Sequence, residues 1–437
     1  MQSKRREFIK AITMGGMGFL LSCTKEGKIL RSTPLTQSAA SDAVKDALSA
    51  DYVQFNSYGQ SLAVGGDAGK LAQVISVVQK YDSVMPDLGV RSMNYPKKTK
   101  ATSFVPLIEQ LSSDGTMGET LCSGACEMFA QSVNDEKTFQ LHGVASGEGG
   151  QSAADLSKGT SNYTRMINDF TAANSIATGM GKTFAVGAIG WTQGEKDIAL
   201  GTDYNTYKSE ILQLNTDVNT DVPGITGQSS IVPFIIGQTS SQNRSTASMN
   251  NPITALVQLD LSMNNPNFTM ATPMYMMDFL PDNTHLSDVN YRILASYYGY
   301  AMKRFLMDGV KNFIYPLSSQ VSGYVVHITF NVPVTPLVFD TVQVADPGSY
   351  GFTAKDFFGN TIKINSVQLT SDDTVKLTCA RTPSSITYAI NGKSKKAGRL
   401  LGPRGCLRDS QGDTLVFDPG GTNWPLYNWT PIFQMIL

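Results

Sequence analysis

The hydrophobic period of the chain changes near Tyr315, and this change limits the folds open to it. Before Tyr315, short apolar runs typical of strands alternate with longer segments whose apolar residues recur at helical spacing. Such alternation predicts an α/β domain with a parallel sheet, here over residues 51–314. The predicted strands are 52–55, 184–189 and 231–236, and the predicted helices are 70–81, 162–173, 204–214 and 289–307.

After Tyr315, apolar and polar residues alternate, which predicts strands rather than helices. Turn-forming clusters such as Asp346-Pro347-Gly348 separate these strands. We therefore predict a separate all-β, sandwich-like module over residues 315–437. Its predicted strands are 324–330, 338–344, 362–369, 374–379 and 386–390.

The N-terminus has the features of an export signal. Arg5 and Arg6 precede an apolar run of 11 residues, 11–21, that resembles a twin-arginine signal and ends in a lipobox-like Leu-Leu-Ser-Cys. This run is too short to span a bilayer core of about 30 Å as a helix. We predict a signal peptide over 1–22, lipid attachment at Cys23 and a tether over 23–50. The expected product is an exported bacterial lipoprotein that contacts the membrane only through this anchor.

Charge and cysteine content exclude two classes of protein. Lys and Arg total 35 against 36 Asp and Glu, so no basic excess exists to bind a nucleic-acid backbone. Five cysteines in 437 residues do not make a disulfide scaffold. Cys122 and Cys126 have no neighbouring histidine at zinc spacing, which leaves a disulfide or two buried thiols. Cys379 and Cys406 fall in the β module, where an exported protein permits a bridge.

A serine and one of three histidines are candidates for nucleophilic catalysis. Ser61 follows the first predicted strand, at the end of a strand where open α/β sheets place ligands. A serine nucleophile needs a base, and His285 has an aspartate, Asp282, three residues earlier on the same loop. Such an aspartate can accept a hydrogen bond from Nδ1 and leave Nε2 free to take the serine proton. His142 and His327 are predicted to be structural.

Two further segments offer hydrogen-bond donors for the oxyanion of an acyl-transfer reaction. The loop 146–152 contains Gly149 and Gly150, whose backbone amides can point into a site. Gln193 directly follows the predicted strand 184–189, and its side-chain amide is a second candidate donor.

These motifs resemble, in order, those of SGNH hydrolases in the branch of sialate O-acetylesterases and acetylxylan-type carbohydrate esterases. They are Gly59-Gln60-Ser61, Gly149-Gly150-Gln151-Ser152, Trp191-Thr192-Gln193-Gly194-Glu195-Lys196-Asp197 and Asp282-Asn283-Thr284-His285. The resemblance covers about residues 51–307 and implies a flavodoxin-like, three-layer α/β/α domain. This branch usually has Asn after the nucleophile, whereas this chain has Leu62, which puts a local hydrogen bond in doubt.

The resemblance also implies roles for individual residues. Ser61 would be the nucleophile, His285 the base and Asp282 its orienting partner. The oxyanion hole would combine the Ser61 amide, the Gly150 amide and the Gln193 side chain. Gly149, Glu195 and Asp197 are possible supports of the site, and no metal or cofactor is needed.

The expected activity is removal of O-acetyl groups from a saccharide, sialate or another acetylated glycan, through an acyl-enzyme. A short-chain lipid esterase or thioesterase of the same fold is an alternative. A second alternative is a non-catalytic glycan-binding surface protein, although a pure binder has no need of Ser61, Asp282 and His285 together.

Overall fold

A computed structural model describes residues 46–66, 72–95 and 99–437. The predicted signal peptide, Cys23 and most of the predicted tether lie outside the described residues. Residues 46–50 were expected to belong to the tether, but Asp46–Ser49 forms a 3₁₀ turn in which Ala47 is fully buried. The folded part therefore begins before residue 51. Within the described ranges, no helix has the length and apolar character needed to cross a membrane.

A seven-stranded sheet forms the centre of the α/β part, in the order β3-β2-β4-β1-β5-β6-β7. All neighbouring strands are parallel except β2 and β3, which confirms the predicted parallel sheet. Strands β2, β3 and β4 all lie on one side of β1, and the chain then crosses to β5 on the other side, so strand order reverses at β1. The strands are β1 (Tyr52–Gly59), β2 (Val84–Pro86), β3 (Phe104–Pro106), β4 (Gln140–Ala145), β5 (Phe184–Thr192), β6 (Phe234–Gln238) and β7 (Phe268–Pro273).

Helices cover both faces of this sheet. They are α1 (Cys122–Ser132), α2 (Ser161–Gly179), α3 (Glu195–Leu200), α4 (Tyr204–Thr226), α5 (Ile253–Asn264) and α6 (Asp288–Asp308). Side chains alternate across a strand, and Phe234 and Ile236 accordingly join the buried cluster with α2 and α4. Ile235, between them, joins the cluster with α1 and α6. The domain therefore has three layers.

The prediction of a helix over 70–81 is wrong for the described part, because residues 72–81 form neither helix nor strand. The amides of Ile75 and Ser76 donate to the carboxylate of Glu119, at 2.9 and 3.2 Å, instead of to helical carbonyls. Val77 and Val78 are 56% and 76% exposed, so the apolar spacing does not mark a buried face.

The C-terminal part contains two four-stranded antiparallel sheets, β13-β14-β9-β8 and β12-β11-β15-β19. Phe330 of the first packs against Phe433 of the second with ring centroids 6.0 Å apart, so the sheets face each other as in a sandwich. Shorter pairs, β10-β16 and β17-β18, complete it. The strands are β8 (Tyr315–Ser322), β9 (Val325–Asn331), β10 (Val338–Phe339), β11 (Phe352–Lys355), β12 (Thr361–Ile362), β13 (Ile364–Ser371), β14 (Thr374–Cys379), β15 (Ser385–Tyr388), β16 (Leu407–Arg408), β17 (Val416–Phe417), β18 (Trp424–Pro425) and β19 (Phe433–Ile436).

One predicted strand, 338–344, is much shorter in the structure. It ends at Phe339 because the Asp340 carboxylate accepts the amides of Val342 and Gln343, at 3.1 and 2.9 Å, and turns the chain. Side-chain capping of this kind competes with strand pairing.

The two parts share buried contacts. A single hydrophobic cluster includes both Phe305 of α6 and Phe433 of β19. The fully buried Gln238 side chain both donates to and accepts from the backbone of Ile432, at 3.0 and 2.7 Å. The two parts on either side of the predicted boundary, between residues 314 and 315, thus share one hydrophobic core. That the C-terminal part is a separate module stays a prediction.

The cysteines of the described ranges are unpaired and buried: Cys122, Cys126, Cys379 and Cys406. The structure therefore favours two buried thiols in α1 and has no bridge in the β module. Among the described residues, no group of three or more His, Cys, Asp and Glu side chains is placed to hold a metal ion.

Candidate active site

Four predicted site segments meet at one edge of the central sheet. Parallel strands bring their carboxyl ends to the same edge, and ligands bind where the strand order reverses. Ser61 follows β1, the Gly149-Gly150 pair follows β4, and Gln193 follows β5. The loop 277–286, which carries Asp282 and His285, lies between β7 and α6.

Three hydrogen bonds to backbone carbonyls of residues 61–64 fix the turn that carries Ser61. The Ser57 hydroxyl donates to the Ala63 carbonyl at 2.7 Å, and Arg91 Nε donates to the Val64 carbonyl at 2.8 Å. The Gly66 amide donates to the carbonyl of Ser61 itself at 2.8 Å. Leu62, which directly follows Ser61, is fully buried. These bonds fix the turn without a side-chain amide at that position.

The loop 277–286 is shaped around Asp282. One oxygen of its carboxylate, Oδ1, accepts the amides of Thr284 and His285, each at 3.0 Å. The Leu280 amide donates to the His285 carbonyl at 2.8 Å. The Ser287 hydroxyl then caps α6 by accepting the Asn290 amide. His285 is thereby fixed between a tight turn and a helix start.

Ser61, His285 and Asp282 form one chain of hydrogen bonds. Ser61 Oγ lies 2.8 Å from His285 Nε2, and His285 Nδ1 lies 2.5 Å from Asp282 Oδ2. Burial raises the pKa of Asp282, but the bonds from the His285 ring and from two amides outweigh it, so the pKa is lowered overall. The His285 side chain is 16% exposed, and Ser61 is partly exposed. Such an arrangement can move a proton from a serine hydroxyl to an imidazole.

Backbone amides next to Ser61 are free to bind an oxyanion. Among the described residues, the amides of Ser61, Gly149 and Gly150 have no acceptor. A β-carbon added to Gly149 would lie 3.8 Å from the β-carbon of Ser61, which places this pair beside the nucleophile. Gly150 has φ of +73°, a left-handed conformation that favours glycine.

The Gln193 side chain is hydrogen-bonded to other residues in the structure, and its role as a direct oxyanion donor stays a prediction. Its Nε2 donates to Asp197 Oδ2 at 2.5 Å and to the Gln151 carbonyl at 3.2 Å, which uses both of its protons. Its Oε1 accepts from the Tyr207 hydroxyl at 2.9 Å. Asp197 Oδ2 also accepts the Ala153 amide at 2.9 Å. Gln193 and Asp197 therefore hold residues 151–153, which follow the Gly149-Gly150 pair.

Glu195, the first residue of α3, is fully buried. Burial raises the pKa of its carboxyl group, and the Ser241 hydroxyl donates to Oε1 at 3.3 Å. The Glu195 carbonyl accepts from Arg244 Nη2 at 2.7 Å. Glu195 thus joins the loops after β5 and β6.

The other two histidines lie away from Ser61. His142 is buried in β4 between Phe104 and Phe184, and burial lowers its pKa to about 3. His327 lies in the middle of β9. Sequence reasoning missed Arg91 and Tyr207, which hold the serine turn and Gln193. No motif or spacing marks either residue, because each acts through a contact that only the fold creates.

The fold, with these side chains at the point where strand order reverses, defines the SGNH class of hydrolases. Within that class the chain belongs to the carbohydrate esterases, because the family described as "Carbohydrate esterase, sialic acid-specific acetylesterase" matches residues 55–304, more than half of its length. It is a carboxylic ester hydrolase of the carbohydrate O-acetylesterase type.

The chain is similar to several solved structures. A carbohydrate acetylesterase from Xanthomonas citri is similar over 88% of this chain and 80% of its own, with 14% identity and a TM-score of 0.54. A protein from Arabidopsis thaliana matches at 14% identity over 58% of this chain and 98% of its own, with a TM-score of 0.41. NanS matches at 13% identity over 59% and 99%, with a TM-score of 0.43. No curated protein sequence matches the chain.

Proposed function

We propose that the protein removes O-acetyl groups from a saccharide, O-acetylated sialate or another acetylated glycan, with Ser61 as nucleophile. The observation that carries this proposal is the hydrogen-bond chain from Ser61 through His285 to Asp282, at 2.8 and 2.5 Å. The saccharide is supported by the family match and by the Xanthomonas citri neighbour, which is a carbohydrate acetylesterase.

In the first half of the reaction, Ser61 Oγ attacks the acetyl carbonyl carbon while His285 Nε2 takes its proton. Asp282 keeps the ring oriented and stabilises the imidazolium. The oxyanion accepts from the Ser61 amide and from an amide of the Gly149-Gly150 pair, of which we favour Gly150. The C–O bond to the sugar then breaks, and the sugar oxygen leaves with the proton from His285.

In the second half, water replaces the sugar. His285 takes a proton from the water as its oxygen attacks the acetyl-Ser61 carbonyl, and the same amides hold the oxyanion. Acetate leaves when the bond to Ser61 Oγ breaks and His285 returns the proton to the serine.

Acetate release by wild type and by Ser61→Ala tests the proposal. The substrates are 4-nitrophenyl acetate, O-acetylated sialic acid, acetylated xylan, a short-chain glycerol ester and an acyl thioester. Ser209→Ala, at an exposed serine of α4, is the control. Activity on acetylated sugars, lost in Ser61→Ala and kept in Ser209→Ala, supports the deacetylase. Turnover confined to short-chain glycerol esters or acyl thioesters supports a lipid esterase or thioesterase. Equal behaviour of wild type and Ser61→Ala on every substrate contradicts catalysis by Ser61 and leaves glycan binding.

A further inference from the structure

A loop of the C-terminal part, residues 390–402, lies directly against the loop that carries His285. The Arg399 amide donates to the Met277 carbonyl at 3.1 Å, and Arg399 Nε donates to Asp278 Oδ1 at 2.8 Å. Both partners lie at the start of the 277–286 loop. The C-terminal part thus binds the base of that loop through main-chain and side-chain contacts.

A second contact reaches the turn between Asp282 and His285. Asn283 has φ of +59°, a left-handed conformation that costs energy for a residue other than glycine. Its Oδ1 accepts the Ala397 amide at 3.2 Å, and its Nδ2 donates to the Pro281 carbonyl at 2.9 Å. The 390–402 loop therefore stabilises the backbone conformation between the two residues.

Gly398 makes the approach of the two loops possible. It is buried, has φ of +82°, and a β-carbon there would lie 2.6 Å from the Met277 carbonyl oxygen and 3.1 Å from the Phe279 ring. No side chain fits between the loops unless one of them moves. A β-carbon at position 398 therefore pushes against residues 277–279.

The 390–402 loop is itself anchored. Its two sides are joined by the bond from the Lys393 amide to the Leu401 carbonyl at 2.8 Å. Arg399 Nη1 donates to the Gln343 carbonyl at 3.1 Å, and Asn243 Nδ2 donates to the Gly392 carbonyl at 3.0 Å. It is thus tied to the β part on one side and to the loop after β6 on the other.

We propose that the 390–402 loop is a positioning element for catalysis, which sets Asp282 and His285 relative to Ser61 through Asn283, Gly398 and Arg399. This proposal rests on the proposed function of Ser61. The C-terminal part then contributes to turnover and is more than a separate glycan-binding module. A misplacement of about 1 Å between reacting groups can reduce the rate by about 100-fold, so modest loosening of this contact reduces kcat.

The test compares Gly398→Ala with Gly359→Ala. Gly359 has φ of +83°, close to the +82° of Gly398, but a β-carbon there meets nothing within 4 Å. Both variants therefore place alanine at a similar left-handed φ, and only Gly398→Ala pushes against the 277–286 loop. With 4-nitrophenyl acetate we expect Gly398→Ala to lower kcat about tenfold or more, with KM changed less than about twofold. Labelling of Ser61 by a fluorophosphonate slows in parallel, at temperatures well below the Tm of both variants.

Equal kcat values in the two glycine variants overturn the proposal. If Gly398→Ala does not fold, Arg399→Ala is compared with Arg381→Ala. In the wild type, Arg381 pairs with Asp356 at 3.6 Å on the surface of the β part. A lower kcat in Arg399→Ala alone, partly restored in Arg399→Lys, supports the proposal, and unchanged kcat overturns it. Loss of activity in Ser61→Ala with normal Gly398→Ala and Arg399→Ala contradicts only the positioning role. Full activity in Ser61→Ala contradicts the proposed function itself.

Discussion

Asp282 uses its two carboxylate oxygens for two different tasks. Oδ1 accepts the amides of Thr284 and His285 and so forms the turn, while Oδ2 accepts from the His285 ring. An asparagine at this position keeps an oxygen for the turn but presents an NH₂ group to Nδ1 of the ring. The turn and the ring orientation can therefore be separated by a single substitution.

We expect Asp282→Asn to fold normally and to lose about 10³- to 10⁴-fold in kcat, because the ring is held in the tautomer that cannot accept the serine proton. Initial rates with 4-nitrophenyl acetate and thermal melting curves measure the two effects. Asp217→Asn, at a partly exposed position of α4, controls for the loss of one charge. A kcat within tenfold of wild type argues against Asp282 as the orienting residue.

At the scale of residues, the sequence indicated which residues lie at the candidate site but not where their side chains point. Ser61 and His285 are 224 residues apart, and only the order of the motifs indicated that they meet. Gln193 lies at the end of β5 as predicted, but nothing in the sequence indicated that its side-chain amide donates to Asp197 and Gln151. The partners of a buried amide depend on the packing of distant elements, which periodicity does not encode.

At the scale of elements, the loop 146–152, which carries Gly149 and Gly150, is hydrogen-bonded to α2 through Ser146 and Gly147. The Ser146 hydroxyl donates to Asp169 Oδ2 at 2.6 Å, and Arg165 Nη2 donates to the carbonyls of Ser146 and Gly147 at 3.2 and 3.1 Å. Burial raises the pKa of Asp169 to about 6, although bonds from Ser146 and Ser92 and the charge of Arg165 oppose it.

This shift predicts a pH-dependent stability. Between the ordinary pKa of 3.8 and the raised value of about 6, the folded protein binds more protons at Asp169 than the unfolded chain does. The free energy of unfolding therefore falls as pH rises through this interval. Relative to Asp169→Asn, wild type should lose about 1–2 kcal/mol between pH 4 and pH 6 in urea unfolding. A constant difference between the two proteins across that range contradicts the raised pKa.

Elements whose structure follows from a local hydrophobic period were predicted well. The segment 72–81, whose structure depends on a distant residue, was not. Residues 374–379 and the start of α4 at Tyr204 agree with the structure because alternation and capping are local signals. The segment 72–81 has apolar residues at helical spacing but bonds to Glu119, more than 40 residues away. A carboxylate that replaces helical carbonyls leaves no trace in the local sequence.

At the scale of the whole molecule, the C-terminal part packs against the α/β part at several places. α5 contacts β19, the Tyr275 hydroxyl donates to the Thr430 carbonyl at 2.7 Å, and the Arg292 guanidinium lies 5.3 Å from the centre of the Phe417 ring. Composition and period correctly indicated two structural classes in one chain. They did not indicate a shared core, because apolar residues facing a neighbouring domain have the same pattern as those facing their own.

Removal of residues 315–437 should therefore prevent stable folding. The truncated chain exposes the apolar side of α5 and the buried segment 274–277, and such a contiguous apolar surface drives aggregation. A net stability of about 5–15 kcal/mol per domain leaves little margin for losing this contact. We expect no cooperative melting transition by circular dichroism and an aggregated fraction in gel filtration, compared with the full chain. If the C-terminal part were a separable binding module, the truncated chain would remain monomeric, melt cooperatively and keep its kcat on 4-nitrophenyl acetate. That result would contradict the need for the shared core. It would also contradict the positioning role of the 390–402 loop, since the 277–286 loop would then keep its active geometry without it.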